Sequence, residues 1–231
     1  MRRRTRAWLG FGASLALLGL AFLLFAQQDA WAAVLARLFP QQRTVVFERT
    51  SLLALAWQHV AIVGASLGLI LAIGLPLGVW LTRASGRPFL ALVSSLVSAG
   101  QAFPPVAVLA LALPFFGFGA RPTLIALVAY GLLPVTSNTV AGLRAVPSDL
   151  KEAGRGLGMG PGALFWRVEV PLALRTVLAG VRVSAVYTLG TATVAPIIGA
   201  GGLGVPIIAG LAVGNLALVL QGAVPVALLA V

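Results

Sequence analysis

Long uninterrupted apolar runs, several of them about 20 residues and so long enough to cross a bilayer, constrain the fold of this chain more than any other feature of its sequence. Lipid supplies no hydrogen-bond partners, so a spanning backbone must form helices or a closed barrel. The runs do not alternate with period two, which favours helices. With 9% charged residues, the chain also lacks the charge that covers a water-soluble globule, where about 25% is usual. We therefore predict an all-α polytopic membrane protein.

The positions of the runs predict about six transmembrane helices. Pro104 and Pro105, with Gln101 just before them, predict that the third span is broken or bent. A glycine-rich break follows the fifth span and leads to a short apolar piece that ends at Ala212. The last run is still apolar at Val231, which suggests that the C-terminus is truncated inside a helix. The predicted spans are residues 7–26, 52–81, 89–115, 123–143, 176–198 and 216–231.

The N-terminal run follows four arginines, Arg2, Arg3, Arg4 and Arg6, which favour an N-terminus in the cytoplasm. Residues 30–32 resemble a signal-peptide cleavage site, but the run is longer than a usual signal core, so we favour an uncleaved anchor. We accordingly divide the chain into residues 1–50, an anchor helix and an external loop, and residues 51–231, a transmembrane domain. A short interfacial helix is predicted at about residues 30–39.

The distribution of basic residues supports this topology. The net charge of +11 could suggest nucleic-acid binding, but the basic residues stand mostly singly between apolar runs. Of the 16 lysines and arginines, only Arg37, Arg43, Arg49 and Arg121 fall in predicted external segments. That bias matches the positive-inside rule.

Catalytic and metal-binding chemistry is poorly supported. The chain has no cysteine and one histidine, His59, and its five acids lie outside the predicted spans. His59 is expected to be a polar residue near the outer end of the second helix, or alternatively to line a substrate path. Residues 199–204 match G-x-G-x-x-G but lack a βαβ context and a following acid, and no P-loop is present. We predict no catalytic site, no metal site and no cofactor in this chain.

After the first loop, residues 144–175 form the only long charged stretch between predicted spans. Ser148 is predicted to cap a helix that begins at Asp149. Glycines 156, 158 and 160 then indicate a turn, and a second short helix at residues 163–168 is expected to stop before Pro171. This helix–turn–helix element would expose Leu157, Met159, Phe165 and Trp166 beside positive charge, as a docking element requires. The alternative is an ordinary solvated loop.

The same stretch resembles the EAA motif of ABC importer permeases. Glu152-Ala153-Gly154 is followed by three residues, Gly158, nine residues and Val168-Glu169-Val170-Pro171. Gly154, Val168 and Val170 depart from the usual Ala, Ile and Leu. The resemblance implies that this loop couples the chain to a separate ATPase. The coupling residues that it implies are Glu152, Ala153, Gly154, Gly158, Met159, Val168, Val170 and Pro171.

Further segments resemble glycine betaine/carnitine/choline permeases. They include residues 57–60, 74–78, 101–105 and 190–204, although Phe103-Pro104-Pro105 replaces the usual Ile-Pro-Ser. The resemblance implies a MetI-like fold in the cytoplasmic (inner) membrane and ATP-driven import of an osmoprotectant. Candidate residues of the translocation path are Gln101, Phe103, Tyr130, Asn138, Tyr187, Thr191 and Thr193. Phe103, Tyr130 and Tyr187 are candidates because a quaternary ammonium group favours aromatic faces, and the favoured alternative for them is ordinary helix packing.

The implied partners are an ABC ATPase dimer that binds ATP and magnesium, a second permease chain (identical or a sister), an extracytoplasmic substrate-binding protein and membrane lipid. No nucleic acid is expected. Two alternatives stay open at this point. One is a permease for methionine or another small solute, and the other is a structural membrane protein that transports nothing.

Overall fold

A computed structural model describes residues 19, 20 and 22–230. The predicted first span therefore lies largely outside the described residues. Within them the regular structure is helical and contains no strand, so the all-α prediction is confirmed there. The helices are α1 Gln28–Leu38, α2 Leu52–Thr82, α3 Leu90–Ala102, α4 Pro105–Phe116, α5 Ala120–Arg144, α6 Ser148–Gly156, α7 Pro161–Leu164, α8 Val170–Thr191, α9 Gly204–Val213 and α10 Leu216–Leu229.

Among the described residues, three helical stretches are long and apolar enough to cross a membrane: Leu52–Thr82, Ala120–Arg144 and Pro161–Ile198. The number rises to four if the bent pair α3 and α4 forms one span. Helices α9 and α10 are apolar but shorter. The 14 residues of α10 reach only about 21 Å at 1.5 Å per residue, against a hydrocarbon core of about 30 Å.

The predicted break in the third span is confirmed. The chain bends by 98° between α3 and α4. Proline disfavours helical geometry in the residue before it, and Phe103 is extended with φ −81° and ψ 140°. Pro105 then takes the first position of α4, where its missing N–H is not needed. The two prolines thus end one helix and begin the next.

The structure divides into two compact units. The first contains the described part of Met1–Ile62 together with Gly117–Thr123 and Leu189–Val231. Its buried apolar core comprises Phe25, Leu52, Leu55, Ala56 and Leu203. The second contains Val63–Phe116 and Leu124–Thr188.

Polar side chains in the first unit hold its irregular segments. Gln58 accepts a hydrogen bond from the Gly202 N–H at 3.1 Å. His59 is buried, and its Nε2 lies 3.1 Å from the Leu189 carbonyl oxygen. These two contacts pair polar groups that would otherwise be buried without a partner. The contact with the Leu189 carbonyl supports a structural role for His59.

Asn215 joins two segments of the first unit. Its Oδ1 accepts from the Ala217 and Leu218 N–H groups at 3.0 and 3.3 Å, which caps α10. Its Nδ2 donates to the Thr44 carbonyl at 2.7 Å. The side chain therefore satisfies backbone groups on both segments.

We expect Asn215→Ala to destabilise the first unit by about 1–2 kcal/mol, because loss of an N-cap alone costs about 1 kcal/mol. Asn215→Asp keeps the capping oxygens but lacks the donor to Thr44, so it should recover only part of the loss. Thermal unfolding of the purified protein in detergent measures both. An unchanged melting temperature in Asn215→Ala would contradict the assignment.

The second unit packs its helices through small residues, which allow the close approach typical of membrane helices. A Cβ at Gly180 of α8 would lie 2.5 Å from the Pro134 carbonyl oxygen of α5. A Cβ at Gly142 would lie 3.0 Å from the Ala173 carbonyl oxygen. The buried Ser184 hydroxyl donates to the Gly131 carbonyl at 2.8 Å. Helices α5 and α8 thus approach closely at these glycines, and the Ser184 hydroxyl joins them by a hydrogen bond.

Candidate functional site

Residues 144–175 fold as the predicted helix–turn–helix. Helix α6 follows a short connection after α5, and a turn joins it to α7. Pro161 occupies the start of α7, preceded by Gly160 in an extended conformation. The glycine-rich stretch between the two helices is therefore a turn, as the sequence predicted.

Gly158 ends α6 in a Schellman motif. Its φ is +79°, in the left-handed region that favours glycine. The Gly158 N–H donates to the Arg155 carbonyl at 2.9 Å, and the Met159 N–H donates to the Gly154 carbonyl at 3.0 Å. These two bonds satisfy carbonyls that the helix end leaves unpaired. The left-handed backbone conformation therefore explains why this position is a glycine.

Gly154 is buried against the second helix of the loop. A Cβ there would lie 2.6 Å from Cδ1 of Leu164 and 3.5 Å from the Met159 sulfur. The glycine that replaces the usual alanine of the EAA motif thus lies where α6 packs closely on α7. The obstructing atom is the end of a flexible side chain, so a small shift of Leu164 would make room.

We therefore expect Gly154→Ala to be tolerated. The alanine gains up to about 1 kcal/mol of helix propensity, which offsets the cost of moving Leu164. Gly154→Val, which requires much more space, should lower the melting temperature in detergent. Comparable destabilisation by alanine and valine would show that Leu164 cannot move.

The prediction that the second short helix stops before Pro171 is wrong. Helix α7 continues through a π-helical turn, Phe165–Glu169, directly into α8. In this wider turn the Val170 N–H donates to the Phe165 carbonyl, five residues earlier. Pro171 has no N–H to donate, and a local π turn is one way in which a helix accommodates such a residue.

The predicted cap of α6 is also wrong. The helix begins at Ser148, with Pro147 at the capping position and no side-chain cap bond. The Ser148 hydroxyl instead donates to the Asp149 carboxylate at 3.2 Å. Asp149 does stand in the first turn, where the helix dipole favours an acid.

Of the four side chains that the sequence predicts to be exposed, Leu157 and Trp166 are exposed, whereas the prediction is wrong for Met159 and Phe165, which are partly buried by packing within the loop. Leu157 and Trp166 are 79% and 69% exposed. Glu152 and Ala153 are exposed, whereas Met159, Val168 and Val170 are partly buried and Pro171 is exposed. The basic Arg155 and Arg167 are also exposed. The surface therefore combines apolar side chains with flanking charge.

A buried apolar cluster packs against the inner side of this loop. Leu143, Val146 and Ala173 form its core, with Val79 and Phe165 packed against them. The Lys151 ammonium donates to the Leu143 carbonyl at 3.4 Å, which ties α6 to the end of α5. The loop is thus held by α2, α5 and α8 and is not a freely solvated segment.

One ion pair in the second unit was not anticipated from the sequence. Arg83, the residue after α2, donates to the Glu169 carboxylate with an Nη2–Oε2 distance of 2.6 Å. Glu169 is only 6% exposed. The Arg83 guanidinium carbon also lies 5.0 Å from the ring centroid of Phe165. No local sequence pattern predicts this pair, because 86 residues separate its members.

The candidate path residues are only partly brought together. Gln101 donates to the Tyr130 carbonyl at 2.7 Å. The Tyr130 ring is buried, whereas Phe103 and Tyr187 are 53% and 55% exposed. Asn138 is half-buried and donates to the Pro134 carbonyl at 2.9 Å.

Two further candidates lie in the first unit. Thr193 donates to the Gly190 carbonyl at 2.7 Å, and Thr191 is half-buried at the end of α8. No cluster of three or more metal-ligating side chains occurs within the part of the chain that the structure describes.

Helices of spanning length around a supported loop with EAA spacing define the permease class of ABC importers. The chain belongs to the family of binding-protein-dependent transport system inner membrane components, which matches residues 74–231. The subunits of this family are integral membrane permeases and not enzymes. They work with a partner ATPase, which uses the ATP, and with a substrate-binding protein.

Several curated relatives are similar over most of their length. The carnitine transport permease protein OpuCB of Listeria monocytogenes is 44% identical over 78% of this chain and 82% of its own. The choline transport system permease protein OpuBB of Bacillus subtilis (strain 168) is 39% identical over the same shares. The osmoprotectant import permease protein OsmY of Salmonella typhimurium is 36% identical over 81% of this chain and 79% of its own.

Solved structures support the fold. An inward-facing structure of the MetNI methionine ABC transporter matches with a TM-score of 0.66, over 75% of this chain and 87% of that chain. Its sequence identity is 23%. An amino acid ABC transporter with histidines matches with a TM-score of 0.51 and 19% identity, over 76% of this chain and 90% of that chain. The predicted MetI-like permease fold is therefore confirmed.

Proposed function

We propose that this chain is the transmembrane subunit of an ATP-driven importer of quaternary ammonium osmoprotectants such as carnitine, choline or glycine betaine. The observation that carries the proposal is its 36–44% identity to relatives whose names state these substrates or osmoprotectants generally. The methionine alternative has weaker support, because the MetNI structure is 23% identical and supports the fold alone.

The 144–175 loop is the proposed contact with the ATPase. Its support is geometric: Leu157 and Trp166 are exposed above a buried cluster, so an ATPase could push on a supported surface. The proposed coupling residues Glu152, Ala153, Gly154, Gly158 and Met159 lie on α6 and its turn. Val168 lies in the π turn, and Val170 and Pro171 lie at the start of α8. ATP-driven closure of two ATPase subunits would act on two such loops, one from each permease chain.

A translocation path for a quaternary ammonium solute is expected to offer aromatic faces, because the quaternary ammonium group has no N–H to donate and is attracted to ring faces. Phe103 and Tyr187 are the candidate rings with exposed surface. The Tyr130 ring is buried and so better placed for packing, and it is the Tyr130 backbone carbonyl that accepts the bond from Gln101. The proposed topology places the N-terminus and the 144–175 loop in the cytoplasm, in agreement with the distribution of arginines.

An uptake assay tests the substrate. The chain is expressed with its ATPase, binding protein and any sister permease in a host that lacks osmoprotectant uptake. We expect ATP-dependent accumulation of radiolabelled carnitine, choline or glycine betaine, and none of methionine. The control omits only this chain. Accumulation of methionine without that of any quaternary ammonium compound would overturn the proposed substrate class.

A further inference from the structure

The ion pair between Arg83 and Glu169 stands where a spanning helix meets the 144–175 loop. Arg83 immediately follows α2, and its backbone N–H donates to the Trp80 carbonyl at 2.9 Å. Glu169 is the last residue of the π turn that leads into α8. The loop is covalently continuous with α5 and α8. The end of α2 is therefore joined to the loop by side-chain contacts.

The pair is built as a specific contact. Because Glu169 is 6% exposed, its charge depends on a partner, since an unpaired buried carboxylate is strongly unfavourable. Arg83 supplies the charge at 2.6 Å. Its guanidinium also lies over the Phe165 ring, a favourable arrangement for arginine. Arg83 thus contacts both ends of the π turn, Phe165 and Glu169.

The π turn lies between the exposed surface and the membrane helix. Trp166, which is 69% exposed, belongs to this turn, and its ring packs edge-on against Phe165 with centroids 5.0 Å apart. A push on Trp166 would therefore act on Phe165, which Arg83 covers. Val79 near the end of α2 and Phe165 both pack against the buried cluster of Leu143, Val146 and Ala173.

We propose that the Arg83–Glu169 ion pair, with Phe165 beneath the guanidinium, passes movement of the 144–175 loop to the end of α2. Both are positioning residues, acting through the loop and the helix and not on the solute. The inference rests on the proposed function, because the loop moves only if an ATPase grips it. Without the pair, the loop would still bind the ATPase, but its movement would reach α2 less completely.

The first test uses the assembled transporter, with its ATPase and binding protein, in proteoliposomes with choline as the probe. Glu169→Gln keeps the shape of the side chain and removes its charge. We expect normal ATPase association and normal basal ATP hydrolysis. Stimulation of hydrolysis by the choline-loaded binding protein should fall at least about fivefold, the lower end of typical couplings between sites. Arg87→Gln, at an exposed arginine of the same turn, removes a charge and should retain native stimulation.

The second test measures the link directly and does not depend on the solute. The chain has no cysteine, so spin labels can be placed at Ala84→Cys and Gly162→Cys in the same assembled transporter. Both sites are exposed, and a Cβ at Gly162 meets no atom within 4 Å. In the native background we expect one narrow distance distribution with and without MgATP. Glu169→Gln should broaden it and make it change with MgATP.

The outcomes separate the two proposals. If the native chain neither binds the ATPase nor supports stimulated hydrolysis, the proposed function fails. If it does both, and Glu169→Gln keeps native stimulation and a narrow distribution, the inference is overturned and the proposed function stands. If Glu169→Gln does not assemble, Arg83→Gln/Glu169→Gln replaces it, because this double variant leaves no buried charge unpaired. The same loss of stimulation is expected, and native stimulation would overturn the inference.

Discussion

Replacing Gly158 by valine is expected to lower coupled uptake at least about tenfold while the chain stays in the membrane at its native level. The φ of Gly158 is +79°. A non-glycine residue in the left-handed region costs about 1–2 kcal/mol, and a β-branched one more. Since about 1.4 kcal/mol corresponds to a tenfold change in an equilibrium, the native turn would be at least about tenfold less favoured against other loop conformations. The spans are untouched, so insertion should be unaffected.

Two matched variants separate conformation from size. Gly156→Val alters the neighbouring glycine, which has no positive φ and no atom within 4 Å of an added Cβ. It should retain most uptake. Gly158→Asn adds a side chain that tolerates the left-handed region. It should recover uptake if the backbone conformation is what matters.

The measurements are uptake in cells, membrane abundance, and the amount of ATPase that co-purifies. Loss of ATPase association in Gly158→Val is the expected cause of lost uptake. Native uptake together with native association in that variant would contradict the coupling role of the loop. Poor function of Gly158→Asn would instead show that the ATPase needs the space above Gly158.

The parts of this fold that were predictable from sequence depend on local signals. The second span and the break at Pro104 follow from continuous apolar character and from proline chemistry, which act over a few residues. The turn at Gly158 is of the same kind, because glycine marks positions with positive φ. Each of these features agrees with the structure.

The errors and omissions concern longer-range or compensated features. A proline such as Pro171 normally indicates a helix end. Here the π turn just before it lets the helix continue although Pro171 has no N–H to donate. Glu169 lies outside the predicted spans, yet it is buried beside Arg83, 86 residues away. Gln58 and Gly202 meet across 144 residues. No periodicity or spacing in a single sequence identifies such partners, and the residues of the translocation path present the same difficulty.

In the glycine-rich break at residues 199–204, a side chain added at Gly204 is expected to destabilise the protein, because there is no space for it. Gly204 is buried at the start of α9. A Cβ there would collide with the Thr193 carbonyl group, a backbone obstacle in the preceding 3₁₀ segment Ala192–Ile198. The neighbouring Gly202 is already fixed by its bond to Gln58. The segment therefore has little freedom to move away from an added methyl group.

Gly204→Ala is accordingly expected to destabilise the protein by about 1–3 kcal/mol, the usual cost of overpacking, and to lower its abundance in the membrane. Gly190→Ala is the matched control: Gly190 is exposed in α8, and an added Cβ there meets no atom within 4 Å. That variant should gain up to about 1 kcal/mol from helix propensity. Unfolding in detergent measures both variants. Equal stability of the two would mean that the backbone at Thr193 can yield, and that the break tolerates side chains at its helix start.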